Sequence, residues 1–289
     1  MSITELGYVR LSVSNLAAWR DFASEVIGLE VVNGDTKGVS FLRMDYWHYR
    51  FVLQEDDRDD VAAVGWRVAG EDEFEAQQRV LRDSNIRFEV ASDQEAADRH
   101  VLGMLRLSDP GKNSLELFYG PRIETAVPFH PGRRMHGPFV TGPGGLGHVA
   151  LEQGDPRAAE LFYRRLFNMK GSLELDRRTP RRLPLYFMSC NSRQHSLAFG
   201  KFGIGKQLIH VMTECSRLED VGLTRDIAHK KGVPFRMEIG QHHNDWALSF
   251  YLQTPSGWAW EVGWGVREPS GKAEFAEHDI WGHEMQAPR

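Results

Sequence analysis

Short runs of alternating apolar and polar residues, each followed by an amphipathic stretch, recur at matching places in the two halves of the chain. GYVRLSVS, from Gly7, alternates with the period of two expected of a strand, and a helix-period face of Ala18, Trp19, Phe22 and Ile27 follows it. GHVALE, from Gly147, repeats the strand, and Ala159, Phe162 and Leu166 repeat the face. Ser14-Asn15 and Asp155-Pro156 supply the two helix starts. Further on, GWRVAGEDEFEAQQRVLRDSNIRF aligns with IHVMTECSRLEDVGLTRDIAHKKGVPF if three residues are inserted, with a capping box expected from Ser216 and Glu219. MLRLSDPGKNSLELFYG aligns with SFYLQTPSGWAWEVGWG without a gap, and Asp109-Pro110 and Thr254-Pro255 mark matching turns. Each half thus predicts a strand, a helix and three strands, twice over. The expectation is an α+β chain of four βαβββ modules paired into two domains. The Pro- and Gly-rich stretch 120–144 reads as the connector, with a boundary near residue 135 that gives domains 1–135 and 136–289. The polar tail from about residue 266 is expected to wrap over the surface.

The duplication supplies an internal comparison. In this alignment Tyr8 stands where the second copy has His148, and Trp66 where it has His210; only the glutamate persists, as Glu116 and Glu261. Alternation puts Leu146, His148 and Ala150 on one strand face and Leu208, His210 and Met212 on another. Ala259, Glu261 and Gly263 face away from Trp258, Trp260, Val262 and Trp264. A lone histidine in an apolar strand is ordinarily a hydrogen-bonded core residue, and Glu116, with no histidines beside it, reads as structural. His148, His210 and Glu261 together are different. Two imidazoles and one carboxylate form the facial triad of non-haem Fe(II) oxygenases, although zinc takes similar ligands. The metal is therefore assigned to domain 136–289, and domain 1–135 reads as non-metal-binding.

The run GQHHNDWALSFYLQTPSGWAWE adds Gly240, His242, Phe250-Tyr251, Thr254-Pro255 and Gly257 ahead of Glu261. It resembles the signature of the extradiol ring-cleavage dioxygenases of the vicinal oxygen chelate superfamily. The opening MSITELGYVRLSV, the strand GGLGHVAL, CNSRQHSLAF and the late WGH extend the likeness over the whole chain, most similar to the two-domain 2,3-dihydroxybiphenyl 1,2-dioxygenase branch. The resemblance implies Fe(II), less readily Mn(II), on His148, His210 and Glu261. It implies His195 as the acid-base residue beside the oxygen position, and His242 and Tyr251 as groups that hydrogen-bond a catecholate. Asn244 and Asp245 match positions close to His242. Gln194 departs from the pattern, since close relatives often have a second histidine there, and a tuning effect is expected. A pocket walled by Val149, Phe187, Phe199 and Gly200, with Asn244 and Asp245 at its polar end, would suit a biaryl-type or otherwise bulky catechol. The implied partners are that catechol and O2, and relatives of this type assemble into homo-oligomers. A glyoxalase-like enzyme or a non-catalytic binding protein on the same scaffold are the rival readings. Neither needs the pairing of His242 with Tyr251. His48, His100, His130, His136, His229, His243, His278 and His283 read as ordinary surface or structural residues, His283 with the added role of a support for the tail.

Composition adds exclusions. A formal charge of −5 over 289 residues lacks the cationic surplus that nucleic acid requires. No apolar run reaches the roughly 20 residues that span a bilayer, and the opening has no basic segment followed by an apolar one. Two cysteines, Cys190 and Cys215, lack metal or redox spacing and fit a reducing compartment, so the expected location is cytoplasmic.

Overall fold

Helix starts set the frame. In the computed structural model, which describes residues 3–176, 183–268 and 279–286, Asn15 caps α1 (Leu16–Asp21, continued to Ile27 by a π-helical turn) by accepting from the Ala18 amide at 2.9 Å. Asp155 caps α4 (Pro156–Phe167) on the amides of Arg157 and Ala158, with Pro156 at the first helical position. Around these helices the N-terminal half runs β1 (Glu5–Val13), α1, β2 (Glu30–Asn33), β3 (Val39–Arg43), β4 (Phe51–Glu55), then β5 (Asp60–Arg67), α2 (Glu71–Asp83), β6 (Phe88–Val90), α3 (Asp93–Asp98), β7 (Gly103–Ser108) and β8 (Ser114–Tyr119). The C-terminal half runs β9 (His148–Glu152), α4, β10 (Lys170–Asp176), β11 (Leu183–Ser189), β12 (Leu197–Gly200), then β13 (Leu208–Glu214), α5 (Leu218–Lys231), β14 (Phe235–Gln241), β15 (Leu248–Gln253), β16 (Ala259–Trp264) and a short β17 (Trp281–Gly282). The four expected βαβββ modules are all present, the second with α3 added.

Each half forms one mixed sheet, ordered β2-β3-β4-β1-β5-β8-β7-β6 and β10-β11-β12-β9-β13-β16-β15-β14-β17. In both, the leading strands of two modules pair antiparallel at the centre, and each pairs parallel with the last strand of its own module. This register corrects one alignment. Gly65 pairs with Glu116 as Met212 pairs with Glu261, so the first-copy counterpart of His210 is Ala63, and Trp66 matches Thr213. Trp66 points into the core on the other sheet face. No insertion is needed at this strand, because α2 and α5 then begin at equivalent positions. The capping box expected from Ser216 and Glu219 does not form. The N-cap is Arg217, the Ser216 hydroxyl has no partner, and the Asp220 carboxylate is taken by the His136 and Gly137 amides of the connector.

One apolar cluster joins the halves, built from inward strand positions such as Val9, Leu11, Val149 and Val211 and from the helix faces. Its seam is aromatic. Trp19 lies 5.1 Å from Trp258 and donates to the Ser256 hydroxyl at 2.8 Å, while Phe51 lies 4.8 Å from Trp260. A polar latch supplements it, since buried Asp109 accepts from Asn113, Gln153 and the Tyr163 hydroxyl. On the opposite face of the N-terminal sheet, a second cluster of Tyr8, Phe41, Trp47, Tyr49, Met104 and Phe118 fills the space. Glu116 sits within it, bonded by the Tyr8 hydroxyl and by Arg99 at 3.0 Å. Of the polar tail, residues 279–286 lie along β14, while His278 falls outside the described residues. No described helix is long and apolar enough to cross a membrane.

Trp19→Ala removes one of the three tryptophans of the seam together with its hydrogen bond. The expected loss is about 3–5 kcal/mol of unfolding free energy in a urea titration, with both halves melting at the lower denaturant concentration.

Candidate active site

Three adjacent strands at the centre of the C-terminal sheet each contribute one side chain. His148 begins β9 and pairs with Met212 of β13; Met212 pairs with Glu261 of β16; His210 lies two residues before Met212. Successive residues alternate faces, so the three side chains project from the same side. A bulge between Leu208 and His210 turns Leu208 into the core, contrary to the alternation expected there, and Leu146 is also a core residue. Close approach of β9 to β13 depends on Gly147, at φ +143°, because a Cβ there would stand 2.0 Å from the Met212 carbonyl oxygen.

His148 Nε2 is 3.0 Å from His210 Nε2 and 3.2 Å from Glu261 Oε2, and His210 Nε2 is 3.5 Å from the same oxygen. Neighbouring ligands about 2.1 Å from one ion stand about 3 Å apart, so these separations fit a facial array. Glu261 is 1% exposed and neither of its oxygens has a hydrogen-bond partner. Leaving a buried carboxylate in that condition costs several kcal/mol unless a cation compensates. Burial pushes the Glu261 carboxyl up, but the adjacent His148 and His242 outweigh it and hold the group well below the usual carboxylate range. Burial, with the neighbouring imidazoles, lowers His210 to about 3 against the pull of Glu261, which leaves a neutral ring with a lone pair to offer. The donor set fits a divalent metal.

Three further groups surround the same spot. The His195 ring lies over His148, centroids 4.1 Å apart, with Phe187 edge-on at 5.0 Å. Burial and the His148 neighbour keep His195 far below its usual value, and Gln194 holds its Nδ1. The loop carrying it is pinned by Arg193, whose guanidinium bonds Glu214 at 2.6 Å and the carbonyls of Val140 and Gly144. His242 Nε2 lies 2.7 Å from the Tyr251 hydroxyl and 3.5 Å from Glu261 Oε1. Tyr251 and Glu261 are direct partners across β15 and β16, while Phe250 packs into the core. Burial lowers His242, but its hydrogen bond to Asp279 and the nearby Glu261 charge raise it on balance to about 10. Burial and Glu261 together hold the Tyr251 phenol well above its ordinary value.

The expected pocket walls divide by strand parity. Phe187 is half-buried on the site face, and Gly200 falls on the same face through its pairing with Glu152. Val149 and Phe199 do not line it. Both are wholly buried core residues on the opposite face, one position out of phase with His148 and Ala198. The small residues on the correct face are Ala150 and Ala198. Asp245 Oδ2 comes within 3.9 Å of His195, whereas the Asn244 side chain turns back to accept from the Asp245 amide. Sequence reasoning missed Arg193, Glu214 and Asp279, and gave His283 too plain a role. The late WGH was the available signal for His283, which stacks on His242 at 4.0 Å.

Glu261→Gln keeps the side-chain volume and removes the charge. Metal affinity, measured by chelator competition, is expected to fall by more than the roughly 10–100-fold that loss of a supporting group costs. Glu116→Gln, whose carboxylate already has arginine partners, should leave the metal content unchanged.

Comparison with known proteins agrees with this arrangement. Residues 6–55 match the family described as dihydroxybiphenyl dioxygenase BphC D1, and residues 145–262 match the glyoxalase/bleomycin resistance protein/dioxygenase superfamily. A biphenyl-2,3-diol 1,2-dioxygenase of Sphingomonas paucimobilis is 46% identical over 99% of this chain and 96% of its own length. A 1,2-dihydroxynaphthalene dioxygenase of Sphingobium xenophagum is 46% identical over the same shares, 99% and 96%. The crystal structure of a catechol 2,3-dioxygenase superposes with a TM-score of 0.96 at 45% identity, covering 100% of this chain and 97% of that one. Full-length likeness at this level, with a metal-ligating cluster at the heart of the second sheet, places the chain in the extradiol dioxygenase family of that superfamily, as a metal-dependent enzyme that cleaves catechols.

Proposed function

We propose that the substrate is a catechol carrying a second ring or a comparably bulky group, and that the metal is Fe(II), with Mn(II) the less suitable substitute. The observation that carries this reading is the triad of His148, His210 and Glu261, whose carboxylate oxygens have no hydrogen-bond partner, set beside the hydrogen-bonded pair of His242 and Tyr251. Two imidazoles and one carboxylate are the ligand set of non-haem Fe(II) oxygenases. The substrate class rests on the named activities of the biphenyl-2,3-diol and dihydroxynaphthalene relatives, and on the small side chains Ala150 and Ala198 facing the site. Val149, once a reason to expect room for a second ring, no longer contributes. The division near residue 135, into a domain without metal and a domain with it, belongs to the same proposal.

When bound, the metal would take both catechol oxygens and O2 and let electrons pass from one to the other. The protein's own residues do the rest. Glu261 contributes a single negative charge to the cluster, which suits a catechol bound as a monoanion. His242 and Tyr251 hold the catechol oxygens, the protonated imidazole donating from Nε2. Ring cleavage then occurs next to the two hydroxyls, not between them. His195, buried and neutral, faces the spot from the other side; it can stabilise the charge that develops on oxygen and later return a proton. Phe187 keeps water from that side.

Three measurements test the proposal. Protein purified without air is expected to carry about one iron per chain; zinc in that amount with no iron would count against it. Mixed with 2,3-dihydroxybiphenyl in air, the protein should turn yellow with oxygen uptake, and His195→Ala should slow the reaction by about 10²–10⁴ while iron stays bound. Ala198→Leu should lower kcat/KM for 2,3-dihydroxybiphenyl at least about 10-fold more than for catechol. Equal losses on the two substrates would remove the size argument.

A further inference from the structure

His242 has two nitrogens, and only one faces the site. Its Nδ1 lies 2.7 Å from Asp279 Oδ1. A carboxylate only accepts, so Nδ1 carries a proton there. Nε2 is directed at the Tyr251 hydroxyl and at Glu261. Asp279 comes from outside the four modules, on a strap at the end of the chain. The Ile280 amide donates to the Gln241 carbonyl at 2.7 Å, Trp281 pairs with Gln241, and Gly282 pairs with Gly240. Beyond them the Glu238 amide donates to the Glu284 carbonyl and the Gln286 amide to the Arg236 carbonyl.

The strap is built for close approach. A Cβ on Gly240 would stand 2.4 Å from the His283 nitrogen, and one on Gly282 would stand 2.3 Å from the Ile239 carbonyl oxygen. His283 itself adopts φ +54°, sparsely populated for a residue with a side chain. That conformation stacks its ring on His242 at 4.0 Å, sets Nε2 3.1 Å from the Ser249 carbonyl and brings Nδ1 within 3.3 Å of Asp279 Oδ2. His242, Asp279 and His283 could also be read as a second cation site, since their ligating atoms lie close together. The hydrogen bond between His242 and Asp279 already occupies two of those atoms, so the cluster works as a chain of contacts leading to Nε2.

Building on the reading of His242 as the residue that meets the catechol, we infer that Asp279 is a positioning residue for the ring-cleavage reaction: delivered by the strap and steadied by His283, it fixes the orientation of the His242 ring so that Nε2 faces and hydrogen-bonds a catechol oxygen.

The test is a double-mutant cycle on the iron-loaded, full-length enzyme. Asp279→Ala is expected to lower kcat/KM about 10–100-fold per bound iron. It should also weaken anaerobic catechol binding, read as a Kd raised by a similar factor. Asp279→Glu should recover part of both. His242→Gln should be impaired on its own, and adding Asp279→Ala to it should cost little more. The inference is overturned if Asp279→Ala retains wild-type kcat/KM and catechol affinity, if its loss is fully accounted for by lost iron, or if the two substitutions are additive. A His242→Gln enzyme with wild-type activity would instead overturn the underlying reading of the site, whatever Asp279→Ala does.

Discussion

A carboxylate buried in the middle of a sheet, with nothing to neutralise it but a cation, is the constraint on which this molecule turns. Both halves contain such a glutamate at the same place in the same topology, and the two sheets answer it differently. In the first, Arg99 and Arg10 approach Glu116 at 3.0 and 3.5 Å, the Tyr8 phenol donates to it, and aromatic rings pack the rest of the face. That carboxylate is satisfied by the protein, and no open position remains. In the second, no arginine contact to Glu261 is found among the described residues, the imidazoles of His148, His210 and His242 approach without hydrogen-bond geometry, and Gly263 stands where the first sheet has Phe118. A buried charge pair can be kept only where compensation is good, and the two halves show two forms of compensation for one inherited residue.

The same comparison explains how the site keeps its shape. Its three ligating side chains come from β9, β13 and β16, neighbours at the centre of the sheet, so their separation follows from strand spacing and register. Glycines at 147 and 263 matter because they set how closely backbone and side chains pack behind the ligands. A Cβ at Gly263 would lie 2.7 Å from the Met212 methyl, which occupies the row between His148 and Glu261.

Much of this was legible in the chain. Period-two alternation and the caps at Asn15 and Asp155 located the modules, and the unequal fate of the two copies singled out His148, His210 and Glu261. Most of the failures share a cause, the need for information from across the sheet. The match of His210 to Trp66 slipped by three positions because an ungapped strand and a helix start look alike until register is known. Ser216 lost its capping role to Asp220, which a distant connector engages. Val149 and Phe199 were placed by likeness, although the alternation that correctly located His148 already turned them inward. Arg193 and Asp279 act through partners 21 and 37 residues away, so no local pattern announces them.

The order of strands also has a mechanical corollary. Local opening in a sheet starts at its rim, where a strand has one neighbour, and reaches the middle last. Here the ion's ligands occupy the middle, while β14 and the two-residue β17 form one margin. Thermal fraying therefore reaches His242 and Asp279 before the metal-holding residues. A warmed molecule thus loosens its hold on the catechol before it releases its ion, an order that the opposite strand arrangement would reverse.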